Sequence, residues 1–284
     1  MSYVQITSAC FSNVLGAQGL DRGRFDAILG NTKPVVETLR AQHADGSLPL
    51  LRLPELTDDI AALEPVAARY RDQFDDVVIL GTGGSSLGGQ TLCQLADVGF
   101  GPQESAPSLH FFDNVDPHSI SVMLERLALG RTGFLVISKS GSTAETMTLF
   151  LVCLKAVLDT VGEDHAADHF TAITEPGDNL LRRLADSYDM VVLDHDPGIG
   201  GRYSALSLVG LLPVMIAGLD AKAIRDGAAS ILKPVLAGEV PENIEAAVGA
   251  AISVGLATEN NILSTVMMPY VDRLADFGLW FRQL

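Results

Sequence analysis

The chain has 284 residues, of which 48% are hydrophobic and 19% charged, so it can bury a sizeable core and falls outside the disordered class. A formal net charge of −16 leaves no basic patch to neutralise a phosphate backbone, which excludes nucleic acid as a partner. Any small anion must then be held locally, by aimed donors.

Met1 to Ile6 lacks the basic start and apolar stretch of a secretory leader. Residues 1 to about 70 read as helices, with apolar positions at helical spacing around Phe25, Ile28 and Leu29 and again in Ile60 to Tyr70. The segment His43 to Pro54, with Asp45-Gly46 and two prolines, breaks them. Cys10, Cys93 and Cys153 show no C-x-x-C spacing and lie in apolar surroundings, which predicts buried thiols in a reducing cytoplasm.

Asp76 to Leu80 reads as an apolar strand, Gly81 to Gly89 as a glycine-rich loop and Gln90 to Ala96 as a helix. Glycines let backbone N–H groups approach a ligand closely, because no Cβ intervenes. As a dinucleotide fingerprint the loop is weak: Gly81 and Gly83 fit, but Ser86 stands where the third glycine belongs. Asp113, after the strand Leu109 to Phe112, is too distant for the ribose acid. No Gly-Lys-Ser/Thr follows, so a P-loop is excluded.

After a helix around Ser119 to Leu129, the apolar strand Gly133 to Ile137 runs into Ser138 to Thr143, and a helix covers Met147 to Val157. A helix start offers unpaired N–H groups and the positive end of the dipole, to which Ser138, Ser140, Ser142 and Thr143 add hydroxyls. Ser142 and Glu145 stand at capping-box spacing, so simple capping is one explanation. Three further hydroxyls favour a phosphate site. Phe170 to Thr174 and Met190 to Leu193 read as strands around a helix at Leu180 to Asp186. This alternation predicts an α/β fold with a doubly wound, mostly parallel sheet, whose ligands gather at the carboxyl ends of strands.

In Asp196 to Ser204, two glycines precede Arg202 and permit a sharp turn that aims its guanidinium inward, toward phosphate or a developing oxyanion. The following apolar run, Ala205 to Leu219, is too short to span a bilayer and contains Pro213, so it is expected to be a core helix and no membrane partner is expected. Helices are predicted at Ala221 to Leu236 and Asn243 to Thr258. Ile262 to Tyr270 is predicted as a strand and Val271 to Leu284 as a helix, together opening a second α/β unit. The expected organisation is a helical region at 1–70, a ligand-binding domain at 71–220 and the start of another domain at 221–284. His165 and His169 have i, i+4 spacing, but no glutamate stands between them as in H-E-x-x-H, which predicts a solvated helix end and no metal site. His118, His195 and Glu259 are candidate acids or bases without an assignable partner.

Gly81-Thr-Gly-Gly-Ser-Ser-Leu-Gly, Ser138-Lys-Ser-Gly-Ser-Thr-Ala-Glu-Thr and Gly200-Gly-Arg-Tyr-Ser, in that order and at strand ends, resemble the glucose-6-phosphate isomerase family, built from sugar isomerase (SIS) domains. The resemblance runs from about Asp76 to the last residue. It implies that Ser138, Lys139, Ser140 and Thr143 hold a sugar phosphate, that Gly84 and Ser85 face the substrate, and that Arg202 stabilises an enediolate. Gln283, in Trp280-Phe-Arg-Gln, resembles the glutamine a few residues before the family's catalytic glutamate. The implied reaction interconverts glucose 6-phosphate and fructose 6-phosphate through a cis-enediol, with no cofactor and with a homodimer as a plausible assembly. The family's proton-shuttling glutamate, ring-opening histidine and a late lysine are expected beyond Leu284. The chain alone is therefore expected to bind a sugar phosphate and to isomerise it poorly, because a missing acid–base group typically removes about 10²- to 10⁴-fold of rate. A non-catalytic sugar-phosphate sensor module is the competing reading from the same residues.

Overall fold

Val77, Val78, Ile79 and Leu80 are fully shielded from solvent. A central parallel strand is covered on both faces, so it reads as a continuous apolar run without alternation. The computed structural model describes residues 4–96, 101–103 and 106–284, and Met1 to Tyr3 of the stretch read above for a leader lie outside them. Five strands, β1 (Asp76–Leu80), β2 (Ser108–Phe112), β3 (Thr132–Ile137), β4 (Phe170–Thr174) and β5 (Val191–Asp194), form one all-parallel sheet in the order β2-β1-β3-β4-β5. The doubly wound α/β expectation is met.

Helices cover both faces. On one side Phe134, Val136, Phe170 and Ala172 meet Met147, Phe150, Leu154 and Val157 of the helix Ala144–Val161, together with Ile120, Met123, Leu181 and Ala185. The apolar positions of that helix recur at three- and four-residue intervals, which keeps one stripe against the sheet. Phe134 stacks on Phe170 with centroids 4.9 Å apart, and Phe150 meets Phe170 edge-on at 5.5 Å. On the other side Tyr70 and Phe74 lie over Gly133, and the Tyr70 hydroxyl donates to the Phe134 carbonyl at 2.8 Å. The helices Asp58–Gln73 and Leu208–Ile216 pack together on that side, where the Arg71 guanidinium donates to the Met215 carbonyl at 2.7 Å.

Strand order reverses between β1 and β3, since the chain moves outward to β2 before returning. Such a reversal opens a crevice at the carboxyl ends of the two strands. Leu80 pairs in register with Val136, so the loops after β1 and β3 leave the sheet side by side.

The chain divides into two compact units. One comprises Leu56–Ala223 with Met267–Leu284 and contains the sheet; the other comprises Met1–Glu55 with Ile224–Val266. The second is helical. Its core is formed by Phe11, Leu20, Phe25, Leu29, Val36, Val235, Ile244, Ala247, Ala251 and Ile252. Phe11 and Phe25 meet edge-on at 5.2 Å.

Two expectations are corrected. Residues 262–270 form no strand; Leu263, Val266 and Tyr270 are 76%, 73% and 89% exposed, and no described strand pairs with them. β-branched and aromatic content favours a strand only where a neighbour supplies the ladder and a surface to pack on. His169 is not solvated: it is buried, and its Nδ1 lies 2.7 Å from the Thr132 carbonyl at the start of β3. Cys93 and Cys153 are buried as expected, while Cys10 is only partly so. Among the described residues no helix is long and apolar enough to cross a membrane.

Candidate functional site

The turn after β3 begins with Ser138, whose N–H donates to Ile173 at 3.0 Å, so it prolongs the sheet by one bond. Gly141 then adopts φ +62, and a Cβ there would lie 1.9 Å from Asn179 Oδ1, which leaves room only for glycine. Asn179 itself caps the helix Leu180–Ser187 by accepting from the Arg182 N–H at 3.0 Å. A cap in the next βα unit therefore packs directly against this turn.

The hydroxyls bond to each other. Ser138 Oγ lies 3.1 Å from Thr143 Oγ1, and Ser142 Oγ lies 3.2 Å from Ser140 Oγ. Thr143 is the residue before the helix Ala144–Val161, and it makes no side-chain capping bond. The capping box that the spacing of Ser142 and Glu145 allows does not form: Ser142 Oγ donates to Ser140 instead. The first-turn N–H groups, at the positive end of an 18-residue helix, therefore keep their capacity for an outside acceptor. Ser138 is buried, Thr143 half-buried and Ser140 exposed.

The Lys139 ammonium points the other way. It donates to the Pro197 carbonyl at 2.8 Å and the Ile199 carbonyl at 3.0 Å, and pairs with Glu175 Oε1 at 3.2 Å. An ammonium has three donors, and all three are engaged. The lysine thus ties the hydroxyl turn to the loop that leads to Arg202.

That loop is held from beneath by His195, which is 1% exposed, with Nε2 3.1 Å from the same Ile199 carbonyl. Burial holds the imidazole below its ordinary pKa, aided by the nearby Lys139 charge and opposed by the Ile199 carbonyl, Glu175 and Asp196. His195 Nδ1 is buried with no partner among the described residues.

Gly83 and Gly84 sit in the short 3-10 turn Gly83–Ser85 after β1. A Cβ on Gly84 would lie 2.2 Å from the Gly201 carbonyl carbon and 2.6 Å from the Arg202 nitrogen. Ser204 Oγ lies within reach of both the Gly84 and Gly201 carbonyls, at 3.1 and 2.6 Å. Arg202 does not turn inward as expected: its side chain is exposed and has no partner among the described residues, while its carbonyl accepts from Trp280 Nε1 at 3.0 Å. A Cβ on Gly83 would lie 2.7 Å from Gln283 Nε2, so Gln283 lies against the glycine loop, with its Oε1 buried and without a partner among the described residues.

The structure thus brings Gly84, Ser85, Ser138, Lys139, Gly201 and Gln283 to the carboxyl ends of β1 and β3. The space enclosed by Ser85, Ile137, Lys139, His195, Gly201 and Ser204 is only about 10 Å³. The loops are packed on each other there, so the surface open to a ligand is the outer one, where Ser140, Ser142 and Arg202 are exposed. Sequence reasoning missed Glu175, Asn179, Ser204 and the Pro197 and Ile199 carbonyls. Only Asn179, a capping residue directly before a helix, left a local signal. Asp113, weighed as a ribose acid, is exposed on the edge-strand side. His165 and His169 join no metal-binding cluster among the described residues.

A family model described as Phosphoglucose isomerase matches residues 48–284. The chain belongs to the phosphoglucose isomerase family. All three loops fall inside the matched region. The chain is 38% identical over 238 residues to the glucose-6-phosphate isomerase of Rubrobacter xylanophilus, covering 82% of this chain and 55% of that protein. It is 34% identical over 233 residues to that of Thermus thermophilus, covering 81% of this chain and 53% of that protein. It spans about half the length of the curated phosphoglucose isomerases it matches.

Among solved structures, a hypothetical protein (TT0462) of Thermus thermophilus aligns with TM-score 0.75 and 31% identity, over 92% of this chain and 61% of that one. A glucose-6-phosphate isomerase from Chlamydia trachomatis aligns with TM-score 0.63 and 24% identity, over 80% of this chain and 42% of that one. This last likeness speaks to the fold the family shares.

Proposed function

We propose that this chain carries the sugar-phosphate-binding half of an enzyme that interconverts glucose 6-phosphate and fructose 6-phosphate through a cis-enediol. The observation that carries the reading is the uncapped helix start behind Ser140, Ser142 and Thr143, placed at the β1/β3 reversal beside the glycine loop. An anion is favoured at such a helix start by its unpaired N–H groups and its dipole.

In this reading the phosphate lies on the outer side of the turn Ser138 to Thr143, taking hydroxyls from Ser140 and Thr143 and backbone N–H groups. Lys139 contributes its place in the turn and its charge, since its donors are engaged elsewhere. Gly84, Ser85 and Gln283 face the sugar chain. The Arg202 side chain, exposed and without a partner among the described residues, is free to meet the oxyanion that develops as the proton leaves C2. Membership of the phosphoglucose isomerase family supports these roles. No organic or metal cofactor enters this reading.

We also place the protein in the reducing cytoplasm as an assembled homodimer, without nucleic-acid or membrane partners. Burial pushes the Cys153 thiol up to about 12 and raises Cys93 as well, which suits thiols that stay reduced. The net charge of −16 disfavours a polyanion. Leu263 and Val266 in the helical unit, and Met268 and Tyr270 in the unit that contains the sheet, are exposed apolar residues of the kind that association covers.

Calorimetric titration with fructose 6-phosphate tests the site, with fructose as the control. Saturable binding of the phosphate ester and none of fructose is expected. Equal binding of both, or of neither, removes the reading.

A further inference from the structure

Two donors from different strands converge on one carbonyl under the site. Lys139, after β3, and His195, after β5, both reach Ile199 O, at 3.0 and 3.1 Å. Ile199 is 2% exposed, and its own N–H donates to Asp196 O at 3.1 Å. Asp196 Oδ1 accepts from Gly198 N at 2.8 Å, which closes the turn. Beyond Ile199 come Gly200 and Gly201, two residues with wide conformational freedom, and then Arg202.

We propose that His195 is a positioning residue which, together with Lys139, fixes the Asp196–Gly201 loop so that Arg202 is presented to the sugar held on the hydroxyl turn. This rests on the sugar-phosphate reading above. The argument has three parts.

First, the segment that delivers Arg202 is gripped at both ends. The carbonyl of Ile199 is held from below, and the carbonyl of Arg202 is held by Trp280 Nε1 at 3.0 Å. Gly201 between them lies against Gly84. Remove the lower grip and two glycines are left to set where the guanidinium stands.

Second, Nε2 is the nitrogen that carries the hydrogen, because it faces a carbonyl, and this leaves Nδ1 bare in a buried place. A buried ring nitrogen without a partner is destabilising, and an apolar side chain would avoid it. The imidazole is accounted for by the bond it makes to Ile199.

Third, Lys139 belongs to the turn that would hold the phosphate, so the same ammonium joins phosphate site and arginine loop. Charge-assisted bonds of this kind are the stronger ones. A single bonded cluster therefore sets the distance between the two ends of the ligand.

The test is a double-mutant cycle read by calorimetric affinity for fructose 6-phosphate, on the purified chain. His195→Phe keeps a ring of similar size and removes the donor; it is expected to weaken binding about 10-fold, the size of one lost hydrogen bond. His195→Gln, which retains an N–H donor, is expected to recover most of that. Because His195 acts through Arg202, the double variant His195→Phe with Arg202→Ala should bind no more weakly than Arg202→Ala alone. Losses that multiply, an unchanged affinity in His195→Phe, or no recovery in His195→Gln would overturn the proposal. Should His195→Phe not fold, His195→Leu, which also removes the donor and leaves the phosphate turn untouched, is run through the same cycle, with the same non-multiplying result expected. Failure of the unsubstituted chain to bind fructose 6-phosphate would instead strike the reading on which this rests.

Discussion

Gly84 and Gly201 touch through their backbones: a Cβ on Gly84 would lie 2.2 Å from the carbonyl carbon of Gly201 and 2.3 Å from its oxygen. The glycine loop after β1 and the loop carrying Arg202 are joined here without any side chain. Neither partner is a flexible group that could step aside.

Gly84→Ala therefore must push the two loops apart. A backbone clash of this size is expected to destabilise by about 1–3 kcal/mol, which lowers Tm by a few degrees in a unit of this size. Gly201→Ala is the control, since nothing lies within 4 Å of a Cβ built there. Parallel thermal melts should show a loss for the first and little change for the second. Equal melts would mean that the contact is softer than the geometry indicates.

Arg202→Ala should separate binding from stability. The side chain is exposed and unpartnered among the described residues, so its removal is expected to change stability by less than about 0.5 kcal/mol. Loss of a charge-assisted bond to an anionic ligand should weaken fructose 6-phosphate binding by about 10- to 100-fold. Calorimetric titration and a urea melt on the same sample decide it. A variant that loses stability in step with affinity would show that Arg202 is a structural residue.

His195 makes the fold sensitive to mild acid. Its folded pKa lies below the ordinary 6.5, mainly through burial, with Lys139 adding to the effect and the Ile199 carbonyl, Glu175 and Asp196 working against it. The unfolded chain takes up the proton more readily than the folded one. Stability from this residue is thus fully present above about pH 6.5 and is lost as the pH falls from there through the folded pKa. Urea melts from pH 8 to pH 5 should fall more steeply for the unsubstituted protein than for His195→Gln. Identical slopes would show that the imidazole does not titrate on unfolding.

The parts of the fold that were legible in the sequence are those written in local pattern. Val77 to Leu80 is a continuous apolar run, and Phe170 to Thr174 is buried along its whole length, because both sheet faces are covered, and the limits of β1 and β4 match the predicted ones. The hydroxyl turn was legible for the same reason, as the place where an apolar run ends. What pattern did not carry is where side chains go. Lys139 finds its carbonyl acceptors 58 and 60 residues away, and no spacing rule points from one to the other. Ser142 stands at capping-box spacing from Glu145 but donates to Ser140 Oγ, two residues off, a choice between accepting from a helix N–H and donating to a nearby hydroxyl that spacing alone does not resolve. The grouping of Met1–Glu55 with Ile224–Val266 is likewise non-local, set by Leu20, Phe25 and Ala251 meeting in one core.

Phe170 offers a test of the fold independent of any ligand. It is fully buried on β4, stacked on Phe134 at 4.9 Å and met edge-on by Phe150 at 5.5 Å, so it joins two strands to the helix Ala144–Val161. Phe170→Ala is expected to destabilise by about 3–5 kcal/mol, because the rings of Phe134 and Phe150 packed on it collapse poorly into the space. Phe170→Leu keeps most of the apolar volume and should cost less, with the aromatic contacts accounting for about 0.5–1.5 kcal/mol of the remainder. A double-mutant cycle with Phe134→Leu, read from urea midpoints at constant m-value, isolates the stacked pair. A coupling near zero would mean that the two rings contribute area alone, and a loss below about 1 kcal/mol in Phe170→Ala would contradict the packing itself.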